Sequence, residues 1–499
     1  MGVSISKLFW AGALAWAGVT LAAEPALTAD DFFDDKVLQE VRLYINPDDW
    51  RKLQANAIAN TYYTAELVWR GQSVGDIGIR SRGRGSRSGI KPGIHVDFNR
   101  FEEDQAFLGL GKVELDNISQ DTALLRERLS MLIMKKMGVP APREAHAKLY
   151  INDKYFGLYG IVESIDKRFL KRTFNEDNGY LYEFKPLTEG YRFQYLGPEV
   201  EKYSPIMWDP STNESKPEPT PIEAMIRAIN QSSDAEFSSA VGKYLNLKEF
   251  MVHIAVEMYL AEFDGILGDV FGMNNFQTYR LEGKTLHRLI AWDKDNAFSW
   301  HERPLFVGVN DNVLSRRAML VPELKAAYLD ALIRTAAYVG GAGGWLDQEL
   351  TRAYDQIRDA AREDKVKLKL VDGDLKPSSN EDFEASVAYL RQFAQTRSGF
   401  VRSTLAGTGF EISAGAPQLN GAAGDGYFSA GAAVSLSGSG FGDSATALTV
   451  LINGFAATIT AVDDGQVSVT VPDKLRPGAV PVTLLKNGLV SNTITVEAF

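Results

Sequence analysis

The chain has 499 residues, 45% of them hydrophobic and 23% charged, a net charge of −11 and no cysteine. That length suits two or three domains, and the composition is that of a chain able to bury a sizeable core. The negative balance argues against a general nucleic-acid binder, and the absence of cysteine excludes disulfides, thiol catalysis and cysteine-bound zinc. The five histidines (His95, His146, His253, His287, His301) are scattered without HExxH spacing, which argues against a zinc hydrolase.

Residues 1–23 read as a secretory signal: Lys7 is the only charge, an apolar run follows, and Ala22 and Ala23 precede Glu24. A short membrane anchor is the alternative, but no stop-transfer charges follow. The mature chain is expected to be exported, with no transmembrane segment. Residues 24–60 suggest a strand (VRLYINPDDW) and then a short helix, and residues 62–98 read as a β-meander.

Inside that meander lies RSRGRGSRSGIK, with Arg80, Arg82, Arg84, Arg87 and Lys91, no acid, and Gly83, Gly85, Ser86, Ser88 and Gly89 interleaved. Glycines let backbone N–H groups turn toward an anion, and the cations neutralise it, so the loop suits a polyphosphate. A solvated basic hairpin fits equally well, and the Walker pattern is absent. The apolar stripe Leu125, Leu129, Leu132, Ile133 predicts a helix over 121–137, capped by Asp121 and ended by Gly138 and Pro140. A strand pair turning at Asn152-Asp153 follows. Glu163 closes it as a candidate buried acid, and DKRFLKRTF reads as a short basic helix. Residues 185–222 look like an extended loop or insertion. KEFMVHIAVEMYLAEF then has helical spacing, with His253 reading as a core histidine.

The stretch from Phe263 to Phe298 concentrates the chemistry. It holds Asp264, Asp269, Asn274, Asn275, Asp293 and Asp295 in two loops flanking a hairpin that turns at Glu282-Gly283. Carboxylates set among apolar strands are unfavourable unless they bind something. Asp269 and Asn274 have the spacing of a kinase catalytic loop, in which the Asp serves the acceptor hydroxyl and the Asn holds magnesium. Asp293, after the hairpin, stands where a second metal carboxylate would be. A calcium site lacks its loop pattern, a glycosidase pair would leave the basic loop unused, and plain surface acids remain an alternative. Residues 312–405 read as a helical scaffold broken at GGAGG. From about 407, short alternating strands rich in Gly, Ser, Thr and Val suggest an all-β sandwich of about 90 residues.

Four segments together resemble the CotH kinase family over roughly residues 35–405: IRSRGRGSRSGIKPGIHVDF, LLRERLSMLIMKKMGVPAPREAHAKLYINDKYFGLYGIVESIDKRFL, DVFGMNNFQTYR and LIAWDKDNAF. The resemblance implies an α+β, atypical protein-kinase-like domain of two lobes, β-rich then helical. It implies use of ATP and Mg2+, with Mn2+ an allowed substitute, to phosphorylate Ser or Thr of secreted or coat proteins. Asp269 looks like the catalytic aspartate, with Asn274, Asp293 and Asp295 on the metal. Arg84, Ser86 and Lys91 fall in the phosphate loop, Lys91 being the better candidate for contacting the phosphates. Glu163 is open between nucleotide contact and structural pairing, and Asp264 and Asn275 are left as structural neighbours. Lys294 departs from the family, which usually has an apolar or aromatic residue there, and would add positive charge beside the metal. Residues 407–499 resemble an IPT/TIG immunoglobulin-like domain in LSGSGFG (436–442), VLINGFAA (450–457) and VSVTVP (467–472). That implies a partner-binding or spacing module, with surface or polysaccharide contact in view. The rival expectation is an inactive kinase-like adhesion protein, periplasmic, secreted or on the cell surface.

Overall fold

The computed structural model describes residues 26–185, 190–269, 272–409, 413, 415–423 and 427–499; the expected signal segment lies outside them. The N-terminal part contains α1 (Ala29–Phe32), β1 (Gln39–Ile45), α2 (Pro47–Ala55), β2 (Tyr63–Trp69), β3 (Gln72–Arg82), β4 (Gly93–Asp97), β5 (Lys112–Asp116), α3 (Arg126–Lys136), β6 (Glu144–Ile151) and β7 (Lys154–Glu163). The seven strands close a barrel in the order β1-β2-β3-β4-β5-β7-β6, sealed by parallel pairing of β1 with β6. The expected meander is thus real but is only part of a closed sheet. Alternation explains the closure: Val41, Leu43, Leu67, Trp69, Ile77, Ile79, Val96 and Leu149 point inward from their strands and are fully buried. The β6–β7 hairpin turns at Asn152 and Asp153, both with positive φ (50° and 63°), the geometry of a tight hairpin turn.

Next come α4 (Lys167–Phe174), β8 (Tyr180–Phe184), β9 (Trp208–Pro210), α5 (Thr220–Gln231), α6 (Phe237–Val241), α7 (Leu247–Tyr259), β10 (Phe276–Arg280) and β11 (His287–Ala291). Strands β11-β10-β8-β9 form a second sheet. The segment read as an extended loop is not peripheral. Tyr191, Phe193, Tyr203, Met207 and Trp208 are buried in the main core, so aromatic burial orders a stretch without periodicity.

The chain continues through α8 (Val313–Ala318), α9 (Pro322–Val339), α10 (Trp345–Glu363), the hairpin β12 (Leu368–Val371) and β13 (Asp374–Pro377), and α11 (Asn380–Gly407). Arg397 of α11 is fully buried. It donates to the carbonyls of Met258 and Tyr259 at the C-terminus of α7 and to those of His301 and Arg303. A cation among terminal helix carbonyls satisfies acceptors that the helix leaves unpaired.

The C-terminal module is all-β: β14 (Gln418–Ala422), β15 (Tyr427–Phe428), β16 (Ala433–Ser439), β17 (Leu448–Ile452), β18 (Phe455–Val462), β19 (Gln466–Thr470), β20 (Gly478–Lys486) and β21 (Leu489–Ala498). It has its own core around Phe441, Val450, Val469 and Val482. Leu451, Leu485 and Val490 instead join the helical core, so the module is packed against the rest of the chain.

Candidate active site

The two acidic loops are brought together by buried charge. Loop 262–275 leaves the end of α7. Glu257, on the last turn of that helix, accepts from Ile266 N at 2.9 Å. Gly265 makes this approach feasible, because a Cβ there would lie 2.6 Å from the Glu257 carboxyl. Lys294, in the loop after β11, is fully buried. Its Nζ contacts Glu257 Oε1 at 2.8 Å and donates to Asn275 O at 2.7 Å. Burial pushes the Glu257 carboxyl up, but Lys294 and His253 outweigh it and hold it down at about 2. Lys294 is therefore the pin that fixes one acidic loop on the other, rather than an ammonium offered to a ligand. His253 is a core residue, with Nε2 3.3 Å from Glu257.

Asp264 is the carboxylate around which the first loop closes. It accepts from Asn274 Nδ2 at 3.1 and 3.2 Å and from Asn275 Nδ2 at 3.1 Å. Burial, with Asp293 adding to it, pushes Asp264 up to about 6 against the two amides. Sequence reasoning set Asp264 and Asn275 aside; the structure places both inside the constellation. Asp269 is exposed and ion-paired with Arg303 at 3.0 Å. Asn274 thus turns to Asp264, and Asp269 turns to Arg303.

Asp293 has φ +49°, a left-handed conformation that Asp tolerates better than most side chains. Asp116, Glu127, Glu144, Asp264 and Asp295 all lie within its electrostatic reach. Burial is the first cause that raises Glu127, Glu144, Asp264 and Asp295, and repulsion from neighbouring carboxylates adds to it: Glu127 and Asp295 go well up, and Glu144 goes to about 8 despite Lys135 and Arg128. Sequence reasoning missed Asp116 at the end of β5, Glu127 on α3 and Glu144 at the start of β6. They sit on three separate elements, and no local motif marks them.

The basic loop joins this cluster through Arg82, a residue not singled out as a site. At the end of β3, Arg82 pairs with Glu114 (3.0 Å) and Asp116 (2.5 Å) of β5 and lies 5.8 Å over the Trp292 ring. It also acts on Asp293 and Glu127. Loop 83–92 is tied down by Asn117 Nδ2, which donates to Ser86 O (2.9 Å) and Lys91 O (2.7 Å). Ser86 is partly buried and Arg84 is exposed. Lys91 is fully buried, donating to Leu158 O at 2.8 Å and pairing with Asp364 at 2.9 Å. In this geometry the ammonium points into the protein, so the expected phosphate contact is replaced by a structural one. Glu163 resolves the same way: it accepts from Arg143 and Arg172 (2.7 Å each) and pairs elements rather than facing an opening.

As the side chains lie, no three His, Asp or Glu residues among the described ones form a metal-holding group. The donor set still suits a hard cation that takes a few carboxylates and completes its shell elsewhere. Asp295 Oδ1, Glu144 Oε1 and Glu262 Oε2 are buried without a hydrogen-bond partner, and such oxygens are unfavourable unless neutralised.

A family model described as CotH kinase protein matches residues 79–401, and an IPT/TIG domain model matches residues 425–498. The chain is 23% identical over 254 residues to the inner spore coat protein H of Bacillus subtilis, covering 51% of this chain and 67% of that protein. It is 20% identical over 249 residues to spore coat protein homolog 1 of Rhizopus delemar, covering 48% of this chain and 39% of that one. Among solved structures, a gamma-CGTase from alkalophilic Bacillus clarkii aligns over 18% of this chain and 13% of its own, with 26% identity and a TM-score of 0.16. A Bacteroides thetaiotaomicron protein of unknown function aligns over 17% of this chain and 22% of its own, with 16% identity and a TM-score of 0.16. The chain belongs to the CotH kinase protein family and carries a C-terminal IPT/TIG domain.

Proposed function

We propose that this protein is an exported, ATP- and Mg2+-dependent protein kinase acting on Ser or Thr of secreted or surface proteins. The observation that carries the reading is the meeting of two unlike loops: Arg82, at the root of the glycine–arginine loop, is set against Asp116 within reach of Asp293. A cation-lined loop beside clustered carboxylates suits a metal-bound polyphosphate. The barrel and the helical region would serve as the β-rich and helical lobes. Asp293 and Asp295 would hold the metal, with Asn274 and Asp116 at hand; the bound ion supplies charge neutralisation at the phosphates. The acceptor oxygen forms its bond to the γ-phosphorus as the bond to ADP breaks, and the hydroxyl proton passes to a carboxylate. Asp269 is the candidate by spacing. Asp264, held by two amides and raised to about 6, is the candidate by environment, since a base works best near the ambient pH.

The test is transfer from γ-labelled ATP, with Mg2+ or Mn2+, to an acidic generic substrate or to the protein itself. Asp293→Asn is expected to abolish transfer. Asp264→Asn and Asp269→Asn separate the two base assignments, because only the true base variant loses turnover with nucleotide affinity kept. Equal nulls for wild type and Asp293→Asn across metals would sink the kinase reading. One observation favours a second reading, an inactive scaffold at a surface: Lys91 is spent on Asp364. Nucleotide-dependent stabilisation decides, since a ligand of the native state must raise Tm. A rise with ATP and Mg2+ that Asp293→Ala removes supports the kinase. The names of the spore coat relatives support an extracellular or surface location, and no helix among the described residues is long and apolar enough to cross a membrane.

A further inference from the structure

The C-terminal module and the glycine–arginine loop meet α10 at its two ends. At its N-terminus the module presents Asn453, at the tip of the β17–β18 hairpin, to the GGAGG break. Asn453 Oδ1 accepts from Gly341 N at 2.8 Å, its Nδ2 donates to Ala342 O at 3.0 Å, and its carbonyl accepts from Trp345 N at 3.0 Å. The glycines are what admit it. A Cβ at Gly340 would lie 2.4 Å from Asn453 O, one at Gly344 would lie 2.7 Å from Asn453 Oδ1, and one at Gly454 would lie 2.7 Å from Tyr338 O. The break is therefore a socket for one side chain.

At the other end, Asp364 closes α10. Its carboxylate takes Lys91 Nζ (2.9 Å) and Leu158 N (3.0 Å), and Gly157 leaves the room, since a Cβ there would lie 2.8 Å from Asp364 Oδ2. Lys91 ends the loop whose beginning is Arg82. Between the two ends the helix of 19 residues, about 28 Å long at 1.5 Å per residue, is held laterally. Glu349 pairs with the buried Arg128 of α3, and Ala360 O accepts from Tyr155 OH at 2.8 Å. A helix fixed at both ends and braced between them moves as one body.

We infer that the C-terminal module is a positioning element for loop 83–92, acting through α10 as a strut between Asn453 and the Lys91–Asp364 pair. Its consequence for nucleotide rests on the kinase reading above; its mechanical part does not. Physical contiguity alone does not establish coupling, so the test measures coupling directly.

Hydrogen exchange of the full chain without nucleotide, read by mass spectrometry, is compared for wild type, Asn453→Ala, Asp364→Asn and the double variant. Asn453→Ala is expected to speed exchange in peptides covering 83–92 by about fivefold or more, the equivalent of one net hydrogen bond, while β2 stays unchanged. Asp364→Asn does the same, and the double variant adds little beyond Asp364→Asn, because both act on one path. Asn453→Asp, which keeps the acceptor and loses the donor to Ala342, should fall between and keeps the test open if the alanine variant folds poorly. Faster exchange confined to 340–345 and β17–β18, with 83–92 unchanged, overturns the inference, as does full additivity. The same variants titrated with ATP and Mg2+ give the nucleotide arm. A wild type that binds none refutes the kinase reading and leaves the exchange result standing.

Discussion

Lys294 places a full positive charge where no water reaches, and two neighbours justify it: the Glu257 carboxylate and the Asn275 carbonyl. Removing one partner of a buried pair leaves the other uncompensated, which costs about 3–5 kcal/mol. Lys294→Met should therefore lower unfolding stability by about that amount in a urea titration, while exchange of Lys for an apolar group on the surface would cost little. The variant should also lose the closure of loop 262–275 on the loop after β11, seen as faster proteolysis there. Gly265 tests the same junction from the other side. A methyl 2.6 Å from the Glu257 carboxyl must displace it, so Gly265→Ala should cost about 1–3 kcal/mol in the same titration. No Cβ fits beside a carboxyl that is itself pinned, so the penalty should largely vanish in a Glu257→Ala background. Both residues are invisible to a motif reading, which registers Lys294 only as a departure within WDKD.

At the scale of elements, what a local pattern encodes was readable and what the tertiary path encodes was not. The helix α3, the β10–β11 hairpin and strands β16 to β21 of the C-terminal module follow from periodicity and turn residues, whereas β14 and β15 do not. Asp121 reads as the cap of a helix over 121–137, but the helix begins at Arg126 with Leu125 as its N-cap residue; Asp121 instead holds the turn before it, its carboxylate accepting from Ala123 N, Leu125 N and Arg126 N at 2.6–2.8 Å. Replacing a capping Asp by Ala costs about 0.5–2 kcal/mol. Asp121→Ala, fully buried and with three donors to orphan, should fall at or above the top of that range in thermal unfolding. It should also shift α3 and with it Glu127. The acidic loops were legible because their residues are near neighbours in sequence. Asp116, Glu127 and Glu144 were not, because a strand end, a helix turn and a strand start share no spacing. Lys91 shows the limit of composition. Its glycine neighbours say that the loop turns, but not that the ammonium faces Asp364, 273 positions later.

For the whole molecule, the buried acids make stability depend on pH in two opposite directions. Glu144 and Glu262 are each raised from 4.5 to about 8, burial being the first cause, and both are more than nine-tenths buried. A carboxyl whose folded pKa lies above its unfolded one contributes stability that is complete below about 4.5. That contribution is lost as pH rises toward 8, because the unfolded chain releases the proton first. Glu114 and Glu257 are held at about 2 by His95, Arg82 and Lys294 against the pull of burial. They do the reverse, contributing above about 4.5 and failing as pH falls to 2. Buried His146 and His287, held down to about 3 and about 4, add to the acid limb as pH falls below about 6.5, so Tm of the metal-free protein, followed by circular dichroism, should peak between about pH 5 and 6.5 and decline toward pH 8. Glu144→Gln with Glu262→Gln removes the groups that titrate on the alkaline side and should flatten that decline without touching the acid limb. On the proposed reading a divalent cation would neutralise the same cluster, so Mg2+ should raise Tm more at pH 8 than at pH 5, and Asp293→Asn should shrink that difference. A Tm that climbs from pH 6.5 to 8 without metal, or an alkaline slope unchanged in the double glutamine variant, would mean that these carboxyls are not held protonated by the fold.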